Sequence, residues 1–213
     1  KEFNIGMALL LTTNELLEPE LPNLKWWGDQ HFELHQSKAW QFGSMMLRLT
    51  RGLQEWRLEY YRPQFQYDYE QQWHSIQDVN FAFPQPVHVE RYMFRETHNT
   101  FQLLPRLADR SVVIRPVDPI YIPAGQRGTL YISTPLWISG YVQAQKEPLF
   151  DIPVIQPKDT WFGPDHRFGD MCYATSVDGR TELNLLRPRA FRAVTPIDFH
   201  NVSNHQLRFD RMN

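Results

Sequence analysis

Over much of the chain, apolar residues recur at every second position. Met45, Leu47 and Leu49 alternate with Arg48 and Thr50, Arg51-Gly52 reads as a turn, and Trp56, Leu58 and Tyr60 alternate with Arg57 and Glu59. Successive side chains of a strand point to opposite faces, so this stretch predicts a hairpin with one buried face. Residues 87–96 and 101–107 predict a second pair around His98-Asn99. Short extended segments follow at 111–114 and 119–122, between prolines, and Pro123-Ala124-Gly125 is a turn. Residues 129–133 and 136–143 are divided by Thr134-Pro135. Residues 171–177 and 181–186 flank Asp178-Gly179, a strong hairpin signal. Residues 191–201 and 206–209 end the pattern around Ser203-Asn204. The total is about ten short antiparallel strands punctuated by turns, which predicts an all-β fold, a β-sandwich or a jelly-roll-like variant. Parallel α/β architecture needs helices of about ten or more residues between strands, and no such pattern is seen.

One segment departs from this period. Phe65, Tyr69, Trp73 and Ile76 fall at steps of four, four and three, which places them on one face of a helix. A short helix over 64–77 is therefore the one helical expectation, before Phe83-Pro84-Gln85-Pro86 returns the chain to extended geometry. The same Gln-rich and aromatic stretch, 62–86, is the candidate break between two sub-lobes of a single β-rich domain.

Composition supports strands over helices. Sixteen prolines outnumber ten glycines, and proline is poorly tolerated inside helices. Fourteen Phe, seven Trp and nine Tyr favour strands and supply large buried area. A formal net charge of −2 argues against a bulk electrostatic grip on nucleic acid or anionic lipid. The apolar run from Met7 to Leu11 is far too short to span a bilayer, so no membrane insertion is expected. The single cysteine, Cys172, excludes an intramolecular disulfide and a two-plus-two cysteine zinc site, and it fits a reducing compartment.

The search for chemistry mainly removes classes. No glycine-rich phosphate loop, nucleophile elbow or zincin helix occurs, so neither a nucleotide nor any other cofactor is implied. Pro123-Ala124-Gly125-Gln126-Arg127-Gly128 resembles the second metal motif of cupins, but Gly128 stands where the ligand histidine belongs. No His-x-His pair precedes it, and His31 and His35 lie too far apart along a strand for one metal. The densest polar and aromatic cluster runs from Lys158 to Asp170. Asp159, Asp165, His166 and Asp170 there have the chemistry for cation binding or acid–base work. The competing reading is a structured loop, with aspartates capping turns and Trp161 and Phe162 in the core, and it is favoured. Cys172 sits in an apolar, strand-like setting and reads as a small buried hydrophobe before a nucleophile. His74, His88, His98, His200 and His205 are scattered singly, and Asn201-Val202-Ser203 is a short glycosylation match common by chance. Trp26-Trp27, Tyr60-Tyr61 and the Tyr67-Tyr69-Trp73 group are candidates for stacking on sugar rings, against the more ordinary role of core and interface packing.

Several longer strings carry a resemblance. They are Tyr121-Ile122-Pro123-Ala124-Gly125, Leu130-Tyr131-Ile132-Ser133-Thr134-Pro135-Leu136-Trp137-Ile138, Asp159-Thr160-Trp161-Phe162-Gly163-Pro164 and Gly169-Asp170-Met171-Cys172-Tyr173-Ala174. With Arg187-Pro188-Arg189-Ala190, Val194-Thr195-Pro196 and the hairpin around Glu55-Trp56-Arg57, this chain resembles a prokaryotic domain-of-unknown-function family, number four hundred and thirty-two. The resemblance covers most of the chain and is strongest from 119 to 200. It implies a bacterial or archaeal cytoplasmic protein, encoded near small-conductance mechanosensitive channels, and no assigned chemistry.

The leading expectation is a non-catalytic interaction domain that binds another protein; the resemblance makes a channel's cytoplasmic domain the candidate partner and the chain an accessory subunit. A carbohydrate- or small-ligand-binding sandwich and an enzyme using the 159–172 loop are the alternatives. The candidate binding residues are Trp161, Asp159, Asp165, His166 and Trp137, with no catalytic residue and no metal ligand assigned. A homo-oligomer stays open.

Overall fold

Side-chain alternation in the first hairpin becomes burial: Met45, Leu47 and Leu49 on one strand, and Trp56 and Leu58 on the next, lose nearly all contact with solvent. The computed structural model describes residues 26–63, 73–76, 78–142, 145–186 and 191–212, without the side chains at 73 and 74. The first strands are β1 (Gly28–His31), β2 (Ser37–Phe42), β3 (Met45–Arg51), β4 (Glu55–Tyr61), β5 (Trp73–Ile76) and β6 (His88–Met93). Next come β7 (Thr100–Arg106), β8 (Val112–Pro116), β9 (Ile120–Ile122), β10 (Arg127–Pro135) and β11 (Trp137–Val142). The last are β12 (Phe150–Pro153), β13 (Lys158–Phe162), β14 (Asp170–Val177), β15 (Arg192–His200) and β16 (Leu207–Phe209). The fold is all-β. Among the described residues the only helical element is a single 3-10 turn, Leu183–Leu185, and no helix is long and apolar enough to cross a membrane.

Two sheets form the first core. A five-stranded antiparallel sheet, ordered β5-β2-β3-β4-β6, faces a four-stranded antiparallel sheet, ordered β1-β7-β11-β12. Between them, Trp56 meets Phe32 at 5.0 Å and Phe101 at 4.9 Å, edge to face, and Phe101 stacks on Phe150 at 5.8 Å. Edge-to-face packing of such rings adds to the area they bury. The second core is smaller. Ile114, Leu130, Ile132 and Val177 are packed by Ile120, Ile197, Phe199, Phe209 and Met212. These come from the sheet β13-β14-β8 and the pairs β10-β15 and β16-β9. The chain interleaves the two cores: it leaves the first after β7, returns to it for β11 and β12, and Phe191 reaches back from the start of β15 to Trp26 and Phe42.

Three local expectations are corrected. Trp73–Ile76 is not helical; it pairs antiparallel with β2, while the rest of the expected helix, 64–72 and 77, lies outside the described residues. The strands around His98-Asn99 do not pair with each other, because β6 joins β4 and β7 joins β1 and β11 in the opposite sheet. Asp178-Gly179 does not turn a hairpin. Beyond it Arg180 bridges to Tyr131 and 183–185 form the 3-10 turn, while β14 pairs with β13 and, in parallel, with β8. In each case non-local pairing overrides a local signal. The strands also number sixteen among the described residues, more than the ten expected, since short strands such as β1, β5 and β12 carry little alternation.

The outer face of the five-stranded sheet is covered by residues 78–83. Arg48 of β3 lies opposite Glu59 of β4 in register, and its Nε donates to the Glu59 carboxylate at 2.8 Å. Its Nη1 donates to the carbonyls of Val79, at 2.7 Å, and Phe81, at 3.3 Å. The guanidinium stands over the rings of Phe81 and Phe83, at 5.4 and 4.9 Å. Arg57 adds a second ion pair to Glu59 at 3.0 Å. Burial alone would raise the Glu59 pKa. The hydrogen bond from Arg48 and the charges of Arg48 and Arg57 outweigh it, so the pKa falls below the ordinary 4.5.

Two outcomes follow for stability. Trp56→Ala opens the centre of the first core and is expected to lower the unfolding free energy by about 3–5 kcal/mol in urea titrations. Glu59→Gln strands a half-enclosed Arg48 and is expected to cost about 3 kcal/mol at neutral pH. A depressed carboxylate contributes stability that is complete above its unfolded pKa and is lost as pH falls through the folded one. The stability gap between wild type and Glu59→Gln should therefore be constant at neutral pH and shrink on acidification below about pH 4.5, read by urea midpoints across pH.

Candidate functional site

The segment read as a polar and aromatic loop is largely a hairpin. β13 pairs antiparallel with β14, placing Asp159 opposite Tyr173 and Trp161 opposite Met171. Opposed residues share a face, so Asp159, Trp161, Met171 and Tyr173 lie on one side of the sheet, and Thr160 and Cys172 on the other. That first side continues inward to Val177 and Ile114 of the second core.

The connection 163–169 is pinched at its neck by two glycines. A Cβ on Gly163 would stand 2.1 Å from the Phe168 carbonyl oxygen, and one on Gly169 would stand 2.5 Å from that of Phe162 and 2.9 Å from the Trp161 ring. Only glycine fits both positions. Above the neck, the Asp165 carboxylate accepts the backbone N–H groups of Arg167 and Phe168, at 2.7 and 3.0 Å, and the Trp161 indole N–H donates to the Asp165 carbonyl at 2.7 Å. Trp161 is thus fixed in orientation while still exposed; Met171 opposite it and Phe168 in the connection are exposed too.

Toward the first core the same face becomes charged and aromatic. Tyr173 packs against Trp137 of β11 at 5.6 Å, the Arg110 guanidinium lies 4.5 Å over the Tyr173 ring, and Arg110 pairs with Asp159 at 3.4 Å. Burial pushes the Tyr173 phenol pKa up, and its hydrogen bond to Asp109 adds to this. Arg62, at the end of β4, donates to the Pro153 carbonyl at 3.1 Å and interacts electrostatically with Tyr173.

The candidate residues divide accordingly. Trp137 and Asp159 stand on either side of the Tyr173–Arg110 stack, and Trp161 lies one step along the same face from Asp159. Trp137 is buried and acts in packing between the lobes. Asp165 turns back to hold its own connection, and His166 is exposed at the tip. Tyr173, Arg110, Met171 and Phe168 were not singled out from sequence. Reading Lys158–Phe162 as a strand paired with 170–174 would have found Tyr173 and Met171 through cross-strand parity.

Elsewhere the chemistry stays dispersed. Cys172 is buried on the opposite face, its thiol against the Asp170 carbonyl at 3.5 Å, so it does not converge with Asp159, Asp165 or His166. Burial, then the charge of Asp170, pushes the thiol pKa up. The Phe199 ring fills the space where a side chain at 128 would begin. Among the described residues no group of three or more His, Cys, Asp or Glu side chains is arranged to hold a metal. Asn201 is buried; its side-chain amide donates to the carbonyls of Ile122, Pro123 and His205 and its oxygen accepts from Ser203. A side chain so engaged organises the 201–205 loop and is closed to glycosylation in the folded protein. Of the tryptophans proposed for sugar stacking, Trp26 is buried, Trp27 is exposed, and the side chain of Trp73 lies outside the described residues.

The buried, high-pKa state of Cys172 predicts its reactivity. In the native protein at pH 7.5 a disulfide reagent is expected to modify it roughly 100-fold more slowly than in urea. Rapid native modification would show an accessible thiolate.

The model for a family described as proteins of unknown function, DUF432, matches residues 26–213. No curated protein and no solved structure matches the chain. With all but the first 25 residues covered by that match, and with the two-core fold lying within it, the chain belongs to the DUF432 family.

Proposed function

We propose that this protein is a non-catalytic β-sandwich interaction domain whose partner is another protein, bound through the β13–β14 hairpin. The observation that carries the reading is the exposure of Trp161, Phe168 and Met171 on that hairpin, with the Trp161 indole held in orientation by the Asp165 carbonyl. Aromatic residues and Met are enriched where proteins meet, and clustered exposed apolar side chains mark interaction sites more often than isolated ones. The dispersal of Asp159, Asp165, His166 and Cys172 among separate structural roles weighs against the enzymatic alternative. The cytoplasmic domain of a mechanosensitive channel, implied by the family resemblance, is the first partner to test, and a cytoplasmic location goes with it.

The test is affinity purification of the full chain at native level, followed by mass spectrometry. The wild type is expected to retain one partner near stoichiometry. The double variant Trp161→Ala/Met171→Ser is expected to lose it by tenfold or more, equivalent to about 1.4 kcal/mol, while keeping its thermal midpoint within a few degrees of wild type. A monomer that retains no protein, or a partner held equally by the variant, overturns the reading.

A further inference from the structure

Four of the sheet edges in this protein are closed in recognisable ways. On β6, Glu90 lies opposite Leu58 and so on the core side of the strand, where the Tyr92 hydroxyl donates to it. An inward charge of this kind discourages strand addition. β15 carries Pro196 in mid-strand, which removes a donor from its edge. β12 is four residues long and ends at Pro153, whose carbonyl is taken by Arg62. β8 is bridged by Met212, with the Ile114 N–H donating to the Met212 carbonyl at 2.8 Å. β13 is different. It is the terminal strand of β13-β14-β8, no described strand pairs with its outer side, and proline is absent from it.

The open edge and the apolar patch coincide. Trp161, Phe168 and Met171 are 39%, 68% and 52% exposed. At about 200 Å² for each whole side chain, they offer roughly 300 Å². A stable interface between two folded proteins needs about 800 Å² on each side. A second copy of this chain or another globular surface resting on the patch alone would fall well short. An extended segment gains what the patch lacks, because main-chain hydrogen bonds to β13 supply affinity that apolar area does not.

We propose that the outer edge of β13 receives an extended peptide segment of a partner protein as an added strand. This deepens, and rests on, the protein-binding reading above. The parity of β13 then dictates the segment's pattern. Side chains on the face of Asp159 and Trp161 meet the Trp161–Met171 surface and are apolar. Those between them lie beside Lys158 and Thr160 and are polar. Selectivity comes from the alternate apolar positions, affinity from the main chain.

The experiment uses the full chain and a phage-displayed library of ten-residue peptides, counter-selected against Trp161→Ala. Enriched sequences are expected to show apolar residues at every second position. A synthetic peptide of the enriched sequence is expected to slow amide hydrogen exchange in residues 158–162 by tenfold or more. Methylating alternate backbone nitrogens of that peptide, on the side facing β13, should weaken it at least tenfold while leaving its side chains intact. Enrichment at helical spacing, protection elsewhere, or equal binding by the methylated peptide overturns strand addition and leaves protein binding through Trp161 standing. A library with no enrichment over the Trp161→Ala control also overturns it. If native purification then retains no partner as well, the broader reading falls separately.

Discussion

Burial of alternate side chains between the five-stranded and four-stranded sheets is the interaction on which the other features depend. Trp56, wedged against Phe32 and Phe101, sits at its centre. Once the inner faces are joined, each sheet still has an outer face, and the protein covers the two differently. On the five-stranded sheet, Arg48 holds residues 78–83 by ion pairing, carbonyl contacts and stacking on Phe81 and Phe83. On the four-stranded sheet, the second lobe does the covering through Tyr173 against Trp137.

The same outer face of the four-stranded sheet carries a buried polar group. Ser139 is fully buried on β11, on the side opposite Ile138, and its hydroxyl donates to the Asp151 carboxylate at 2.6 Å. Arg106 completes the group at 3.3 Å. Burial raises the Asp151 pKa, and the hydrogen bond from Ser139 and the charge of Arg106 only partly offset it. The β13–β14 hairpin extends beyond this covered zone, with its inward face used for packing at Tyr173 and free at Trp161 and Met171.

Legibility in the sequence followed strand length and distance in the chain. The β3–β4 hairpin was readable because several apolar alternations and a turn lie within one short stretch, and its register is local. β5 was not, since Trp73 and Ile76 also satisfy a helical spacing and only pairing with β2 distinguishes the two. The site was half legible. Trp161, Asp159 and Asp165 stand out as residue types, but their division into a patch, an ion pair and a turn cap depends on parity and on the glycine neck. Arg110 carries no signal of its own, because its role arises from stacking on Tyr173 and pairing with Asp159, each far away in sequence.

From its residues alone this chain is committed to strands: alternation, proline spacing and aromatic load leave too few helix-competent stretches for any other class. Family membership is legible in the same way, since it lies in strings of residues. Which strands become neighbours, which edges stay open and which aromatics stay exposed were settled only by the tertiary structure. The physical reason is that a strand's pattern specifies a face to bury and says nothing about which distant strand will bury it. The hydrogen-bonding edge is identical in every sequence except at proline, so its occupancy is decided by the fold as a whole.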